Sequence, residues 1–476
     1  MKRGVLRMAL WLGAVIVVSG RFGLEDNELR PVLAQNREQP NVLLVLSDDH
    51  SAAHVGAYGN ADIKTPNLDA FAREGMRFNR AYVAAPQCVP SRAALMTGRS
   101  PVAVQMTRFS APLPAEYKTW LELLRARGYF TGVAGRTYHL DGSGNQPAET
   151  RAVFDEHNLR TFQRRVDYVK SGGGPIHLAA ITQYREFLDM AKGRPFALQL
   201  CFSDPHRVYD KDAIAEPHDP NRIKLPAHYP DTPGVRADFA SYYDEISRFD
   251  GNFGQILEEL KKRGLAGNTI VVFMGDNGAA QFRGKGTLYE FGVNVPLLVR
   301  WPGKVKAGGV TGELISGEDL APTFLEACGQ QPLKEMTGRS FLKLLRGEAS
   351  TGRDYVFAER GAHGSGLPEG TSPFDLGRVI IGRRYKLIYT ALWQLPYQPV
   401  DFAGQPFWKE VRQMNKDGKL PPLLSRLYFS PTRPMFELFD LEADPSEFNN
   451  LIGKPEHASI ERELKARLQE WMILER

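Results

Sequence analysis

The sequence predicts an α/β fold, with a mostly parallel central sheet covered by helices on both faces and a smaller C-terminal α+β subdomain. Up to about residue 353, continuous apolar runs alternate with helical patterns. From about residue 354 onward, the pattern changes to short strand-like pieces that end in one helix. A chain of 476 residues is also too long for one simple hydrophobic core, which favours one large domain with a smaller one appended.

The central sheet is predicted from continuous apolar runs, which are typical of strands buried on both faces. These runs cover residues 41–47, 129–134, 196–202, 269–274 and 294–300. Helical patterns lie between them, at residues 118–127, 236–263 and 318–328. Strands that alternate with helices in this way form a mostly parallel sheet, and ligands bind such sheets at the carboxyl ends of the strands.

The C-terminal subdomain is predicted from four short strand patterns followed by a helix from about Glu456. The strand patterns cover residues 355–359, 379–381, 385–389 and 435–441. Residues 393–434, rich in proline and aromatic side chains, are predicted to form an ordered excursion on the surface. The resulting domain boundaries are a leader at residues 1–34, a large N-terminal domain at 38–353 and a C-terminal subdomain at 354–476.

The N-terminus resembles a secretory signal peptide. Lys2, Arg3 and Arg7 flank the start of an apolar stretch at residues 8–18, which is too short to span a bilayer stably. We therefore expect residues 1–34 to be a signal peptide and processed leader, with the mature protein periplasmic or secreted and without a stable membrane span. An uncleaved anchor is the alternative.

Composition restricts the possible partners. The chain has 60 Lys and Arg against 55 Asp and Glu, a net charge of +5 that suits an anionic substrate but is too small to predict nucleic-acid binding. Its three cysteines, Cys88, Cys201 and Cys328, are too widely spaced for a disulfide framework or a zinc site. Cys201 and Cys328 are expected to be buried free thiols, or a pair if Cys88 is chemically converted.

The most informative motif is Cys88-Val-Pro-Ser-Arg-Ala-Ala-Leu-Met-Thr-Gly-Arg99. Pro90 suits the first turn of a helix and Gly98 suits the position just after its end. Cys88 should therefore lie at a helix N-terminus, where unpaired N–H groups and the helix dipole favour an anion. The alternative is a small buried cysteine at the start of an ordinary helix.

Two pairs of residues with oxygen-bearing side chains follow predicted strands. Asp48 and Asp49 come directly after the first strand, and Asp276 and Asn277 follow the strand at 269–274. Together they form an oxygen-only set of the kind that binds Ca²⁺ or Mg²⁺. Each pair could instead serve in a turn or as a helix cap.

Three further motifs carry polar side chains suited to an anion site. Lys285 lies in a glycine-rich stretch, His206 follows the strand at 196–202, and Arg136 and His139 lie in Gly-Arg-Thr-Tyr-His. On their own, the lysine could be a solvated loop residue and the post-strand histidine a structural one.

Taken together, these motifs resemble formylglycine-dependent sulfatases of the alkaline phosphatase superfamily. The run at 88–99 resembles the family signature, and the other motifs occur in the family's order along the chain. Residues 437–445 and 449–451 are similar to a C-terminal segment of the family. Residues 357–363 and 385–389 resemble bacterial relatives of heparan N-sulfatases.

The resemblance implies that Cys88 is oxidised to Cα-formylglycine by a dedicated maturation enzyme, and that its hydrated aldehyde is the nucleophile. It implies that Asp48, Asp49, Asp276 and Asn277, together with residue 88, bind one Ca²⁺, with Mg²⁺ as the alternative.

The resemblance also implies roles for the basic residues. Arg92 orients the nucleophile, Lys285 binds the sulfate, His206 protonates the leaving group, and His139 helps to remove a proton during sulfate release. Arg136 stands where the family has a lysine. Because an arginine does not shuttle protons, we expect Arg136 to bind the sulfate electrostatically.

The predicted function is hydrolysis of sulfate esters, or of N-sulfates, on a sulfated carbohydrate. His363 and Arg360 are candidates for contacting the sugar, although both could instead pack the subdomain interface. The alternatives are a phosphonate monoester or phosphodiester hydrolase of the same superfamily and an inactive glycan-binding protein.

Overall fold

The computed structural model describes residues 39–107, 109, 111–136, 138–141, 148–172, 176–363 and 375–474. The predicted signal peptide and leader at residues 1–34 lie outside the described residues. No helix in the described ranges combines the length and apolar character needed to cross a membrane.

A mixed, mostly parallel sheet forms the centre of the fold. The first ten strands of the described chain are β1 Asn41–Ser47, β2 Met76–Phe78, β3 Ala81–Tyr82, β4 Phe130–Gly135, β5 Tyr168–Lys170, β6 Phe196–Cys201, β7 Thr269–Gly275, β8 Leu297–Arg300, β9 Gly309–Thr311 and β10 Ile315–Ser316. Eight of them form one sheet in the order β5-β4-β6-β1-β7-β8-β2-β9, and β3 pairs with β10. The strands from β5 to β7 are parallel, which confirms the predicted fold class.

The run predicted as a strand at 294–300 differs from the other four. Its strand begins only at Leu297, after Pro296, and runs antiparallel to β7 and β2. Proline has no N–H to donate to a ladder, so it suits the position just before a strand. The sheet is therefore mostly, and not wholly, parallel.

Helices cover both faces of the sheet. The helices are α1 Pro66–Glu74, α2 Cys88–Thr97, α3 Trp120–Arg125, α4 Ala148–Glu156, α5 Phe162–Arg165, α6 Ile176–Ala191, α7 Pro233–Lys262, α8 Glu290–Val293, α9 Leu320–Ala327, α10 Leu342–Leu345, α11 Pro406–Lys416, α12 Pro422–Phe429 and α13 Ala458–Leu474. Val42, Leu44 and Leu46 of β1 share a core with α2, α3 and α9. Leu43 and Val45 point the other way, into a core shared with α1, α6 and α7. This alternation explains why the strand is apolar at every position.

The C-terminal part contains a second sheet, which is antiparallel. Its strands are β11 Val356–Arg360, β12 Gly377–Ile381, β13 Tyr385–Thr390 and β14 Phe436–Asp440, paired in that order. Leu464, Leu468 and Trp471 of α13 pack against Ile380 and Leu387 of this sheet. The four predicted strands and the closing helix are thus present.

The segment at 393–434 is more than a surface excursion. It contains α11 and α12, which sequence patterns did not predict, and its Phe402, Phe407 and Trp408 share a core with Phe239 and Tyr242 of α7. This packing brings the segment against the polar edge of the central sheet.

Candidate active site

Four adjacent parallel strands deliver polar side chains to one edge of the sheet. Asp48 and Asp49 follow β1, Asp276 and Asn277 follow β7, and Arg136 follows β4. The segment containing His206 follows β6. Because β4, β6, β1 and β7 are neighbours, their carboxyl ends bring these side chains together, as the sequence predicted.

Cys88 is the first residue of α2, which ends at Gly98 with a left-handed φ of +67°. The cysteine is fully buried, and its Sγ lies 3.3 Å from Oδ1 of Asp48 and 3.9 Å from Oδ1 of Asp49. Burial and the charge of Asp48 raise the pKa of the Cys88 thiol. A thiolate is therefore disfavoured here, and the unmodified side chain is a poor nucleophile. All three cysteines lie in the described ranges and have free thiols, which confirms the prediction for Cys201 and Cys328.

Arg92 lies one turn after Cys88 on the same helix and joins two carboxylates. Its Nη2 donates to Oδ2 of Asp48 at 3.0 Å and lies 2.8 Å from Oδ2 of Asp276. All three side chains are fully buried. The guanidinium therefore fixes the relative positions of the two strand ends and the nucleophile helix.

The acidic residues form a set that fits a divalent cation. Ligand atoms of Asp48, Asp49, Cys88 and His206 all lie within 4.8 Å of one another. Asn277 donates from Nδ2 to Oδ1 of Asp49 at 2.8 Å, whereas its buried Oδ1 has no hydrogen-bond partner among the residues the structure describes. A buried amide oxygen without a donor is unfavourable, and a hard cation would satisfy it.

The pKa values of the buried carboxylates also favour a bound cation. Burial and the charge of Asp48 raise the pKa of Asp49 to about 8, and the same causes raise the pKa of Asp276. Neighbouring buried carboxylates oppose each other's ionisation, so both ionise readily only when extra positive charge is present. The donor set therefore suits Ca²⁺ or Mg²⁺, as predicted from the sequence.

Two further cations flank the carboxylates. Nη1 of Arg136 lies 3.0 Å from Oδ2 of Asp48. Nζ of Lys285 lies 2.8 Å from Oδ1 of Asp49 and 2.7 Å from Oδ2 of Asp401. Burial opposes the charge on Lys285, but Asp401 and Asp49 raise its pKa well above the usual value. Lys285 is therefore a fixed cation at the bottom of the site.

The two predicted histidines border the same cluster. Nδ1 of His206 contacts the carbonyl oxygen of Arg207, which only accepts, so Nδ1 carries a proton and Nε2 faces the site. Burial and the charge of Arg136 lower the pKa of His206 to about 3. His139 lies in the short turn Tyr138–Leu140, where burial and Arg136 also lower its pKa.

Asp401 belongs to the site and was missed by sequence reasoning. Its carboxylate contacts Nζ of Lys285, lies 3.2 Å from Nε2 of His363 and 3.8 Å from Nε2 of His206. Asp401 has a left-handed φ of +65° and lies between the excursion's Val400 and Phe402, both fully buried. No motif marks it, and only the aromatic residues after it indicate a packed segment.

The two sugar-contact candidates have different positions. His363 is buried and reaches the cluster through Asp401, and its Nδ1 lies 2.9 Å from Nε2 of Gln87, the residue before Cys88. Arg360 is buried beside Asp375 and lines a separate cavity of about 420 Å³. Arg360 therefore lines a different cavity, whereas His363 reaches the Cys88 cluster through Asp401.

A larger cavity, of about 1030 Å³, opens beside His206 and Arg136. Its wall includes Arg160, Lys170 and His177. A space of this size lies at the upper end of the range for ligand pockets. Arg136 and His206 thus border both the cluster around Cys88 and a space much larger than a sulfate ion.

Comparisons with known proteins agree with this geometry. The family profile described as Sulfatase matches residues 40–330, and the profile described as N-sulphoglucosamine sulphohydrolase, C-terminal, matches residues 278–390. The first profile covers well over half of the chain and includes every predicted site residue except the two sugar-contact candidates, Arg360 and His363.

Similar proteins cover nearly the whole chain. An ulvan-active sulfatase of Formosa agariphila is 26% identical, over 91% of this chain and 75% of its own length. The human N-sulphoglucosamine sulphohydrolase is 28% identical, over 92% of this chain and 91% of its own length. A structure solved with its substrate D-glucosamine-2-N,6-O-disulfate superposes with a TM-score of 0.66 at 19% identity, covering 91% of this chain and 97% of that one, and supports the fold.

Proposed function

The chain belongs to the sulfatase family of sulfuric ester hydrolases, and we propose that it removes sulfate groups from a sulfated carbohydrate, using formylglycine formed from Cys88 and one divalent cation. The observation that carries this proposal is that Cys88, the two pairs of oxygen-bearing side chains at the ends of β1 and β7, and three fixed cations converge on one buried cluster. Export of the mature chain, from the signal-like N-terminus, belongs to the same proposal.

The charge of the cluster supports a monoanionic sulfuryl group. Four carboxylates, those of Asp48, Asp49, Asp276 and Asp401, face three fixed cations, Arg92, Arg136 and Lys285. These seven side chains together carry one negative charge. A divalent cation brings the total charge of the site to one positive charge, which a sulfate monoester neutralises. Such a preorganised cationic pocket stabilises the charge that spreads over the sulfuryl oxygens during transfer.

The protein residues have separable tasks. When formed, the hydrated aldehyde at residue 88 supplies the nucleophilic hydroxyl for attack on sulfur. When bound, the cation, held by Asp48, Asp49, Asp276 and Asn277 beside residue 88, supplies Lewis-acid charge stabilisation. Arg92 fixes the positions of the ends of β1 and β7 relative to the helix that begins at Cys88. Lys285 and Arg136 bind the sulfuryl oxygens, as their position around Asp48 and Asp49 allows.

The histidines move protons. Nε2 of His206 faces the part of the cluster with the most exposed side chains, where a leaving group would depart. The negative charge of a bound sulfate favours the protonated form of this ring, which can then protonate the leaving oxygen. His139, which interacts electrostatically with Arg136, Arg92 and Asp48, accepts a proton during sulfate release.

Replacing His206 with alanine should reveal its role through the leaving group. We expect a roughly 100-fold loss of kcat/KM on an alkyl or sugar sulfate and a much smaller loss on nitrophenyl sulfate, which needs little protonation. Steady-state kinetics on both substrates measure this difference. Equal losses on the two substrates would instead assign His206 a binding role.

The carbohydrate assignment rests on the cavity beside His206. Its wall mixes basic side chains, among them Arg160, Lys170 and His177, with the carboxylates of Asp141 and Asp210, and its size suits a sugar chain that extends beyond the sulfate under attack. The two relatives named for ulvan and for N-sulphoglucosamine support a sulfated sugar. His363 is proposed to act next to the sugar from the other side, through its contact with Asp401.

A panel of sulfated mono- and oligosaccharides, an aryl sulfate and an aryl phosphonate tests this assignment. We expect one sugar class to give the highest kcat/KM. Arg160→Ala should lower kcat/KM on that sugar by roughly 3- to 10-fold and spare the aryl sulfate, because a charge at the rim mainly aids capture of an anion. Arg164→Ala, a neighbouring arginine that does not line the cavity, is the matched control. A preference for the phosphonate or the aryl sulfate would contradict the carbohydrate proposal.

A further inference from the structure

The loop that carries Lys285 contains a backbone conformation that its sequence does not favour. Arg283, two residues before the lysine, has a left-handed φ of +54°. The two carboxylate partners of Lys285, Asp49 and Asp401, share this feature, each with a φ of +65°. Glycine adopts this region readily, whereas other residues stay there only where their surroundings impose it. Because a glycine would take this conformation more easily, the arginine side chain must itself contribute something at this position.

The Arg283 side chain reaches into the C-terminal subdomain. It is buried, and its Nη1 and Nη2 donate to the carbonyl oxygens of Ser446 and Glu447, at 3.3 Å and 2.9 Å. Its guanidinium carbon lies 3.6 Å from the centre of the Tyr289 ring, in a cation–π contact. The guanidinium is thus held at two places, on the turn of the subdomain and on the aromatic ring.

The turn that accepts these hydrogen bonds is itself fixed. The buried carboxylate of Glu447 accepts from the backbone N–H of Glu290, the first residue of α8, at 2.8 Å. The same carboxylate lies 2.8 Å from Nζ of Lys386 in β13, whose side chain is fully buried. The turn lies between residues 437–445 and 449–451, the two stretches that resemble a C-terminal segment of the family. This segment therefore provides a fixed support for Arg283.

Lys285 lies at the centre of a short closed loop that begins at Arg283. The Thr287 hydroxyl donates to the carbonyl oxygen of Arg283 at 2.6 Å, across the lysine. Gly284 is packed so closely that a Cβ would lie 2.0 Å from the carbonyl oxygen of Ala279. The backbone N–H of Lys285 donates to that same oxygen at 2.7 Å. A change of backbone conformation at residue 283 would therefore break this loop and displace the lysine.

We infer that Arg283 is a positioning residue for the reaction: its contacts with the C-terminal subdomain hold the loop so that Nζ of Lys285 reaches the sulfuryl oxygens. Nζ lies 2.8 Å from Asp49 and 2.7 Å from Asp401, so a small displacement of the loop changes which charges surround it. Arg283 acts through the lysine and not on the substrate. The inference rests on the proposed sulfatase function and gives the C-terminal segment a part in it.

A purely structural role for Arg283 is the alternative. A buried guanidinium that donates to two carbonyl oxygens stabilises a fold wherever it lies. The two roles differ in their kinetics. A structural residue changes the fraction of protein that is folded, whereas a positioning residue changes kcat/KM of the folded protein and does so only while the residue it positions is present.

The test is a double-mutant cycle of Arg283→Gly and Lys285→Ala, on the sulfated substrate that the wild type hydrolyses best. Glycine keeps the left-handed conformation accessible, so a loss reports the missing side chain. We expect kcat/KM to fall roughly 10- to 100-fold for Arg283→Gly, since misplacing a catalytic group by about 1 Å costs up to about 100-fold. Lys285→Ala should cost roughly 100- to 1000-fold. The double variant should then lie within about twofold of Lys285→Ala.

Two further variants, measured per folded protein and well below the melting temperature, accompany the cycle. Arg283→Lys keeps a cation that can donate to one of the two carbonyl oxygens, and it should recover part of the loss. Arg165→Gly is the matched control, because Arg165 is also a buried arginine that donates to backbone carbonyl oxygens. This control should lower the melting temperature and leave kcat/KM unchanged.

An Arg283→Gly loss that is as large in the Lys285→Ala background as in the wild type would overturn the inference, because the arginine would then act independently of the lysine. An unchanged kcat/KM for Arg283→Gly would also overturn it, whatever the melting temperature. If Arg283→Gly does not fold, Arg283→Asn takes its place under the same criteria, because asparagine tolerates the left-handed conformation. A wild type that hydrolyses no sulfated substrate contradicts the proposed function, and this result is seen before any variant is made.

Discussion

Cys88→Ala is expected to abolish sulfate hydrolysis while leaving the fold intact. The reaction needs a nucleophile at the N-terminus of α2, and Cys88 is the one cysteine grouped with Asp48, Asp49 and His206 among the described residues. Loss of a covalent nucleophile costs at least about 10⁴-fold in kcat. Removing one buried sulfur atom should cost only about 1 kcal/mol of stability.

Activity on an aryl sulfate and the melting temperature measure the two effects separately. Cys328→Ala is the matched control, because Cys328 is also a buried free thiol but lies at the end of α9, away from the cluster. It should keep full activity. A Cys88→Ala protein that still turns over, or a Cys328→Ala protein that loses activity equally, would contradict the assignment of the nucleophile.

Removal of the divalent cation should have the second largest effect. Without it, the buried carboxylates of Asp48, Asp49 and Asp276 repel one another and the amide oxygen of Asn277 has no hydrogen-bond partner among the described residues. A chelator should therefore lower activity by about 10³-fold or more, because charge on the sulfuryl group is no longer stabilised. It should also lower the melting temperature, since a ligand at 100 times its Kd stabilises the folded state by about 2.7 kcal/mol.

Adding back Ca²⁺ or Mg²⁺ separately identifies the preferred ion. Asn277→Ala keeps all three carboxylates and should raise the cation concentration needed for half-maximal activity, without preventing saturation. Full activity and an unchanged melting temperature in metal-free protein would contradict the cation site. Loss of activity that neither ion restores would show that chelation acts elsewhere.

The sequence predicted those parts of the site whose positions depend on the local sequence pattern of a strand or a helix. Apolar runs located β1 and β7, and the residues that follow a buried strand must lie at its carboxyl end, which placed Asp48 and Asp276 correctly. Pro90 and Gly98 located the helix that begins at Cys88. In each case, the backbone near a residue determines where its side chain is.

The parts that were missed depend on tertiary packing. Asp401 reaches the site because Phe402 and its aromatic neighbours pack on Phe239 and Tyr242 of α7, roughly 160 residues away in the chain, and no periodic pattern reveals that contact. Arg360 was a candidate for contacting the sugar, with packing of the subdomain interface as the alternative. The structure buries it beside Asp375. Segments without periodicity were therefore the weak point of prediction.

The chemical state of residue 88 tests the central claim most directly. The protein should be produced with and without a formylglycine-generating enzyme, and the peptide that contains residue 88 should be quantified by mass spectrometry beside kcat. We predict an aldehyde at residue 88 in the co-expressed protein, a thiol in the other, and kcat proportional to the aldehyde fraction. Full activity in protein whose residue 88 is entirely a thiol would contradict the mechanism.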